Sequence, residues 1–173
     1  MAAKGAALKV RILGVDPGSR ITGYGVIERE GSVVRFVACG VIKPNQKLTF
    51  PERLGEIHAG IREVIAEHNP CTAAVEDIFV SVNPRSALTL GHARGVILLA
   101  AMNSGLVIHE YSARLVKQTV TGHGQAAKAQ VQHMVMVLLK LSASPSEDAA
   151  DALAAALCCA NHLDAGGLER RKQ

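Results

Sequence analysis

The sequence contains no tryptophan, and aromatic residues fill only 3% of its 173 positions. An interior without large rings has to be built from Ala, Val, Ile and Leu. Hydrophobic residues, at 49% of the chain, supply that material and point to helices packed on a sheet. Cysteine is sparse. Cys39, Cys71, Cys158 and Cys159 form no C-x-x-C pair, which argues against a zinc site or a disulfide framework. They read instead as buried small hydrophobes in a reducing cytosol. Long apolar runs are missing too: the stretch Gly95 to Ile108 is broken by Asn103, Ser104 and Gly105, short of the roughly 20 residues a membrane span needs. The opening MAAKGAALKVR lacks the apolar segment of a signal peptide. A cytoplasmic protein without a membrane partner is the expectation. No internal repeat or low-complexity block is present, and the net charge of +4 is compatible with a nucleic-acid partner without demanding one.

What is there reads as one α/β domain. Residues 1–7 are expected to form a flexible N-terminus, 8–163 the domain, and 164–173 a basic tail carrying Arg170, Arg171 and Lys172. Leu8 to Val15 is an apolar strand ending at Asp16, where Pro17 and Gly18 turn the chain. Thr22–Glu28 and Val33–Ile42 follow at distances too short for crossovers, so the three make an antiparallel meander. From Pro51 to His68 the period changes, and Leu54, Ile57, Ile61, Val64 and Ile65 share one helical face. A strand over Thr72–Ile78, a helix over Arg85–Asn103 and a strand over Val107–Tyr111 come next. Helices begin after Ser112, near Ala126 (to Leu141) and after Pro145–Ser146 (to His162). A strand that returns beside the first after a helical crossover lies parallel to it. The expected result is a mixed five-stranded sheet of order 3-2-1-4-5 with helices on both faces, the ribonuclease-H-like arrangement.

Four acids carry the chemistry. Asp16 ends the first strand and Glu76 sits on the fourth, so parallel neighbours bring the two carboxylates to one sheet edge. Asp148 and Asp151, three positions apart on the last helix, share a face. Any one acid after an apolar strand ordinarily just opens a turn, and acids at a helix start complement its dipole. The conjunction is what matters: Asp16 and Glu76 each interrupt a buried run, where a bare carboxylate is costly unless a cation or a proton accompanies it. Hard oxygen ligands select Mg²⁺ or Mn²⁺. Two such ions about 4 Å apart can activate water and stabilise the leaving oxygen of a phosphodiester.

The segments ILGVDPGSRITGYGVI (Ile12–Ile27), AVEDIFVSVNPRSALTLGHARG (Ala74–Gly95), EYSARLVKQTVTGHGQAAKAQVQHMV (Glu110–Val135) and EDAADALAAAL (Glu147–Leu157) closely resemble the RuvC family of Holliday junction resolvases, the crossover junction endodeoxyribonucleases. The similarity runs in register from about Leu8 to Cys159. The resemblance implies that Asp16, Glu76, Asp148 and Asp151 are the metal-binding catalytic acids. It implies that Lys117 and Lys128 approach the DNA near the scissile phosphate, and that Phe79 stacks on bases at the junction. It also implies a homodimer that nicks two like-polarity strands of four-way junction DNA symmetrically, in homologous recombination and DNA repair. Two Mg²⁺ ions per subunit (with Mn²⁺ able to substitute) and a branch-migration helicase complex of the same pathway complete the picture. Asp77, beside Glu76, departs from the neutral residue expected there. Neighbours on a strand face opposite ways, which directs it away from the metals. The C-terminal tail is shorter than in some members.

Taken from the residues alone, Lys117 and Lys128 read as solvated helix-face lysines and Phe79 as a core ring at a loop onset. Gly122 and Gly124 around His123 read as turn chemistry. The pattern D-P-G-S-x-x-T-G (Asp16–Gly23) also resembles the phosphate loop of actin-like ATPases and sugar kinases, although those proteins close two such domains around a nucleotide and give the last-helix acids no role. A related small nuclease acting on other branched or RNA substrates shares the same acids. An inert DNA-binding module is the third alternative, and the complete set of four acids speaks against it. The segment Val96–Leu99 is apolar nearly all round its helix, which core burial explains from the residues alone and which also hints at a second subunit.

Overall fold

A computed structural model describes residues 8–77 and 83–163. The expected N-terminus 1–7, Ile78, Phe79 and the tail 164–173 lie outside the described residues. The elements run β1 (Lys9–Asp16), β2 (Thr22–Glu30), β3 (Val33–Ile42), α1 (Phe50–His68), β4 (Thr72–Asp77), α2 (Pro84–Asn103), β5 (Val107–Ser112), α3 (Ala113–Thr121), α4 (Lys128–Leu139) and α5 (Glu147–His162). The sheet order is β3-β2-β1-β4-β5, with β1 antiparallel to β2 and parallel to β4. Both expectations, the mixed sheet and its order, hold.

Alternation along the central strands separates two cores. Leu13, Val15, Ala73 and Val75 face α1 and α2, whereas Ile12 and Ala74 face the layer of α3, α4 and α5. Asp16 follows Ile12 and Gly14 in the period of two, and Glu76 follows Ala74. Both carboxylates therefore rise on the α5 side. The parallel ladder ends at Val15↔Val75, one residue before the two acids. They stand where the strands part company, at the carboxyl edge where open α/β sheets form their crevice.

Helix termini follow local chemistry. Ser112 and Ser146 cap α3 and α5, their hydroxyls accepting from the Leu115 and Ala149 amides. The helix expected from Ala126 starts instead at Lys128, because the Gln130 side chain accepts the Ala127 amide and fixes the entry there. Its last helical residue is Leu139, two before the expected end, and the cap Lys140 takes a left-handed conformation (φ 53°). The cysteines need a correction. Cys158 and Cys159 are buried, but Cys71, just before β4, is exposed and Cys39, on the edge strand β3, is intermediate. All four are free thiols.

Candidate active site

α5 reaches the sheet closely enough to present its acids because the facing surfaces have almost no side chains. A Cβ on Gly23 would overlap the Asp148 carbonyl oxygen, and one on Gly14 would overlap that of Ala152. The helix answers with buried alanines at 149, 150, 152, 154, 155 and 156. Gly14 and Gly25 are register partners on adjacent strands, and Gly23 is the partner of Asp16. The seat of α5 is thus a glycine floor beside the first acid. Sequence reasoning missed these glycines; their spacing on one face of β1 and β2 was the available signal.

The structure brings all four acids into one electrostatic neighbourhood. Burial, reinforced by the carboxylates of Glu76, Asp151 and Asp148, pushes the Asp16 carboxyl up from 3.8 to about 7. Glu76 is raised by burial and then by Asp151. Asp151 is raised by burial and by Asp148, against the lowering influence of Lys128. The site is short of positive charge. Lys128 supplies part of what is lacking: its Nζ lies 3.6 Å from Asp151 Oδ2 and 3.8 Å from Glu147 Oε2. Asp151, foremost, holds the Lys128 ammonium above its usual value. Lys117 also acts on this cluster, lowering both Glu76 and Asp151. Lys128, still 64% exposed, thus reaches the acids from a solvated helix face, while Lys117 acts on them electrostatically. Glu147, unremarked in the sequence, joins them.

Among the described residues, no group of three His, Cys, Asp or Glu side chains stands close enough together, as the side chains lie, to hold a metal ion. What joins the carboxylates is mutual repulsion, which the Lys128 ammonium partly offsets. A set of hard oxygen donors starved of positive charge suits a divalent cation such as Mg²⁺.

Asp77 behaves as the alternation predicted. It turns to the α2 side, where its Oδ1 lies 3.4 Å from Arg94 Nη2. The same guanidinium pairs with Glu110 of β5. The turn after β1 is closed by the Thr22 hydroxyl, which is fully buried and donates to the Gly18 carbonyl at 2.8 Å. That hydroxyl is committed to the fold rather than to a nucleotide phosphate.

Carboxylates gathered at the parting of two parallel strands, with a final helix adding two more, define the ribonuclease-H-like class of nucleases. Within that class the match is specific. The family model described as crossover junction endodeoxyribonuclease RuvC matches residues 12–159. A curated relative from Aliivibrio fischeri, a crossover junction endodeoxyribonuclease RuvC, is 54% identical over 150 residues, covering 87% of this chain and 86% of the relative. The structure of Thermus thermophilus RuvC in complex with a Holliday junction substrate superposes with a TM-score of 0.80 at 36% identity, over 86% of this chain and 92% of that one. A yeast mitochondrial Holliday junction resolvase shares the fold at a TM-score of 0.64 and 13% identity, over 91% of this chain and 80% of that one. The chain belongs to the RuvC family of crossover junction endodeoxyribonucleases. Membership removes the phosphate-loop kinase reading of Asp16–Gly23. Among the described residues, no helix is long and apolar enough to cross a membrane.

Proposed function

We propose that this chain resolves Holliday junctions in homologous recombination and DNA repair, as a cytoplasmic homodimer that nicks two like-polarity strands symmetrically. The observation that carries the catalytic part is the convergence of Asp16, Glu76, Asp148 and Asp151, from β1, β4 and α5, with Asp16 pushed up to about 7. Residues 8–163 carry the nuclease domain on this reading. The four acids would hold two Mg²⁺ ions, or Mn²⁺ in their place. Bound there, the ions supply Lewis acidity at the scissile phosphodiester and an activated water. The protein's own part is to keep four carboxylates at hand without letting them close on one another. It also holds Lys128 and Lys117 against them, ready to offset negative charge that develops on the phosphate. Phe79 follows Glu76 by three positions and would stack on a junction base, a contact worth about 1–3 kcal/mol.

Dimerisation is supported by α2. Leu88, Leu99 and Met102 are each more than half exposed, and the Cβ positions of Gly91 and Gly95 open onto empty space. These residues recur at heptad-like intervals along the outer face, where a second copy of the helix could approach closely. Two acid clusters related by a two-fold axis match the approximate symmetry of a four-way junction. A branch-migration helicase complex of the same pathway is the proposed protein partner.

The deciding experiment incubates the protein with a four-way junction and with linear duplex in Mg²⁺, beside Asp16→Asn. Paired symmetric nicks only in the junction, absent for Asp16→Asn, are expected. A wild-type protein that binds the junction but leaves it intact in Mg²⁺ and Mn²⁺ would overturn the reading. Equal cutting of linear duplex would remove the structure selectivity.

A further inference from the structure

We propose that Arg94 is a positioning residue that fixes Glu76 for metal binding, an inference that rests on reading the four acids as a metal site. The sheet holds Glu76 on one side only. The β1 ladder ends with Val15↔Val75, while β5 still pairs through Glu76↔Tyr111 and Asp77↔Ser112. Arg94 supplies a further tether. Its Nε donates to the Glu76 carbonyl oxygen at 3.3 Å, while Nη2 meets Asp77 Oδ1 at 3.4 Å and the Glu110 carboxylate. One guanidinium from α2 thus ties the end of β4 to β5 through three groups. The planar fork can hold all three at once, which a lysine ammonium on a flexible stem cannot reproduce.

Exposure indicates what the cluster is for. The Arg94 side chain is 16% exposed, but Asp77 and Glu110 are 61% and 50% exposed. Ion pairs with carboxylates that wet contribute little to stability. What the arrangement does accomplish is directional: it pins the main chain of a carboxylate whose side chain must reach a cation on the opposite face. Supporting contacts of this kind commonly set the affinity of a metal site, because a ligand already in place loses less freedom on binding. Asp77 then has a role: it is a partner for Arg94 on the α2 side, and not a fifth ligand.

Mn²⁺ titration calorimetry on the full-length protein tests this without relying on cleavage. Arg94→Lys is expected to weaken Mn²⁺ binding about tenfold, with the thermal midpoint and junction binding in EDTA near wild type. In a Glu76→Gln background the same change should alter Mn²⁺ affinity less than about twofold, since the ligand it positions is gone. If Arg94→Lys does not fold, Glu110→Gln takes its place in the cycle, with a smaller loss of about threefold expected on the same grounds. Unchanged Mn²⁺ affinity, or an equal loss in both backgrounds, would overturn the positioning role alone. A wild-type protein that binds no Mn²⁺ would overturn the metal reading, and the role of Arg94 with it.

Discussion

Replacing Asp16 with Asn should make the metal-free protein more stable while abolishing its chemistry. The folded-state carboxyl is pushed up from 3.8 to about 7, so in the folded protein its charged form is disfavoured. A raised folded value means stability is full below the unfolded pKa and is lost as pH rises toward the folded one. The loss therefore sets in near pH 4 and is complete just above pH 7. Some three units at about 1.4 kcal/mol each correspond to about 4 kcal/mol at pH 8. Asn relieves this charge but keeps a polar amide that must be desolvated, returning about 1 kcal/mol. The net gain is about 3 kcal/mol, or about 6–12 °C in Tm for a domain of this size. At pH 5 the wild-type carboxyl is already protonated in the fold. The penalty shrinks to about 1.5 kcal/mol, and the gain from Asn falls below about 1 kcal/mol. Urea and thermal denaturation of both proteins in EDTA at pH 5 and pH 8 measure this directly. Added Mg²⁺ should stabilise the wild type more than the variant and narrow the gap. An Asn variant no more stable than wild type at pH 8, or one with the same gain at pH 5, would refute the account of the site as a cluster of strained carboxylates.

Four further outcomes are expected. Gly23→Ala places a methyl group against the Asp148 carbonyl, so it should cost about 1–3 kcal/mol of stability. By displacing two acids it should also cost at least about 100-fold in cleavage rate; near-normal cleavage would show that α5 can shift without harm. Lys128→Ala and Lys117→Ala should slow single-turnover cleavage of saturated junction by about 10²–10³-fold. Full recovery at higher enzyme concentration would make them binding residues only. Light scattering should give a species near twice 18.2 kDa, and Leu99→Glu should halve that mass. A dimer carrying one Asp16→Asn subunit should leave mostly singly nicked junctions, and a monomer that cuts both strands at wild-type rate would contradict the dimer.

The local record in the chain was enough for the elements and for their order in the sheet. Apolar alternation in β1 and β4, the helical period of α1 and the capping serines 112 and 146 are short-range signals, and the rule that a strand returning after a helical crossover lies parallel then leaves few topologies. Asp16 and Glu76 were legible for the same reason: each interrupts a buried run, and the period of two sets its face. Family resemblance, rather than any local pattern, singled out Lys117 and Lys128, because a lysine on a helix surface looks alike whether it meets water or an acid cluster. Only the folded chain made them neighbours of Asp151 and Glu76, through contacts between α3, α4, α5 and the sheet edge. Two features were decided wholly by tertiary structure. The seat of α5 depends on glycines from two strands meeting alanines about 130 residues away, and the cost of a Cβ exists only once the two surfaces touch. The Arg94 tether joins residues 76, 77, 94 and 110 through a carbonyl and two carboxylates. Charge in a sequence has sign but no direction, and direction comes from packing.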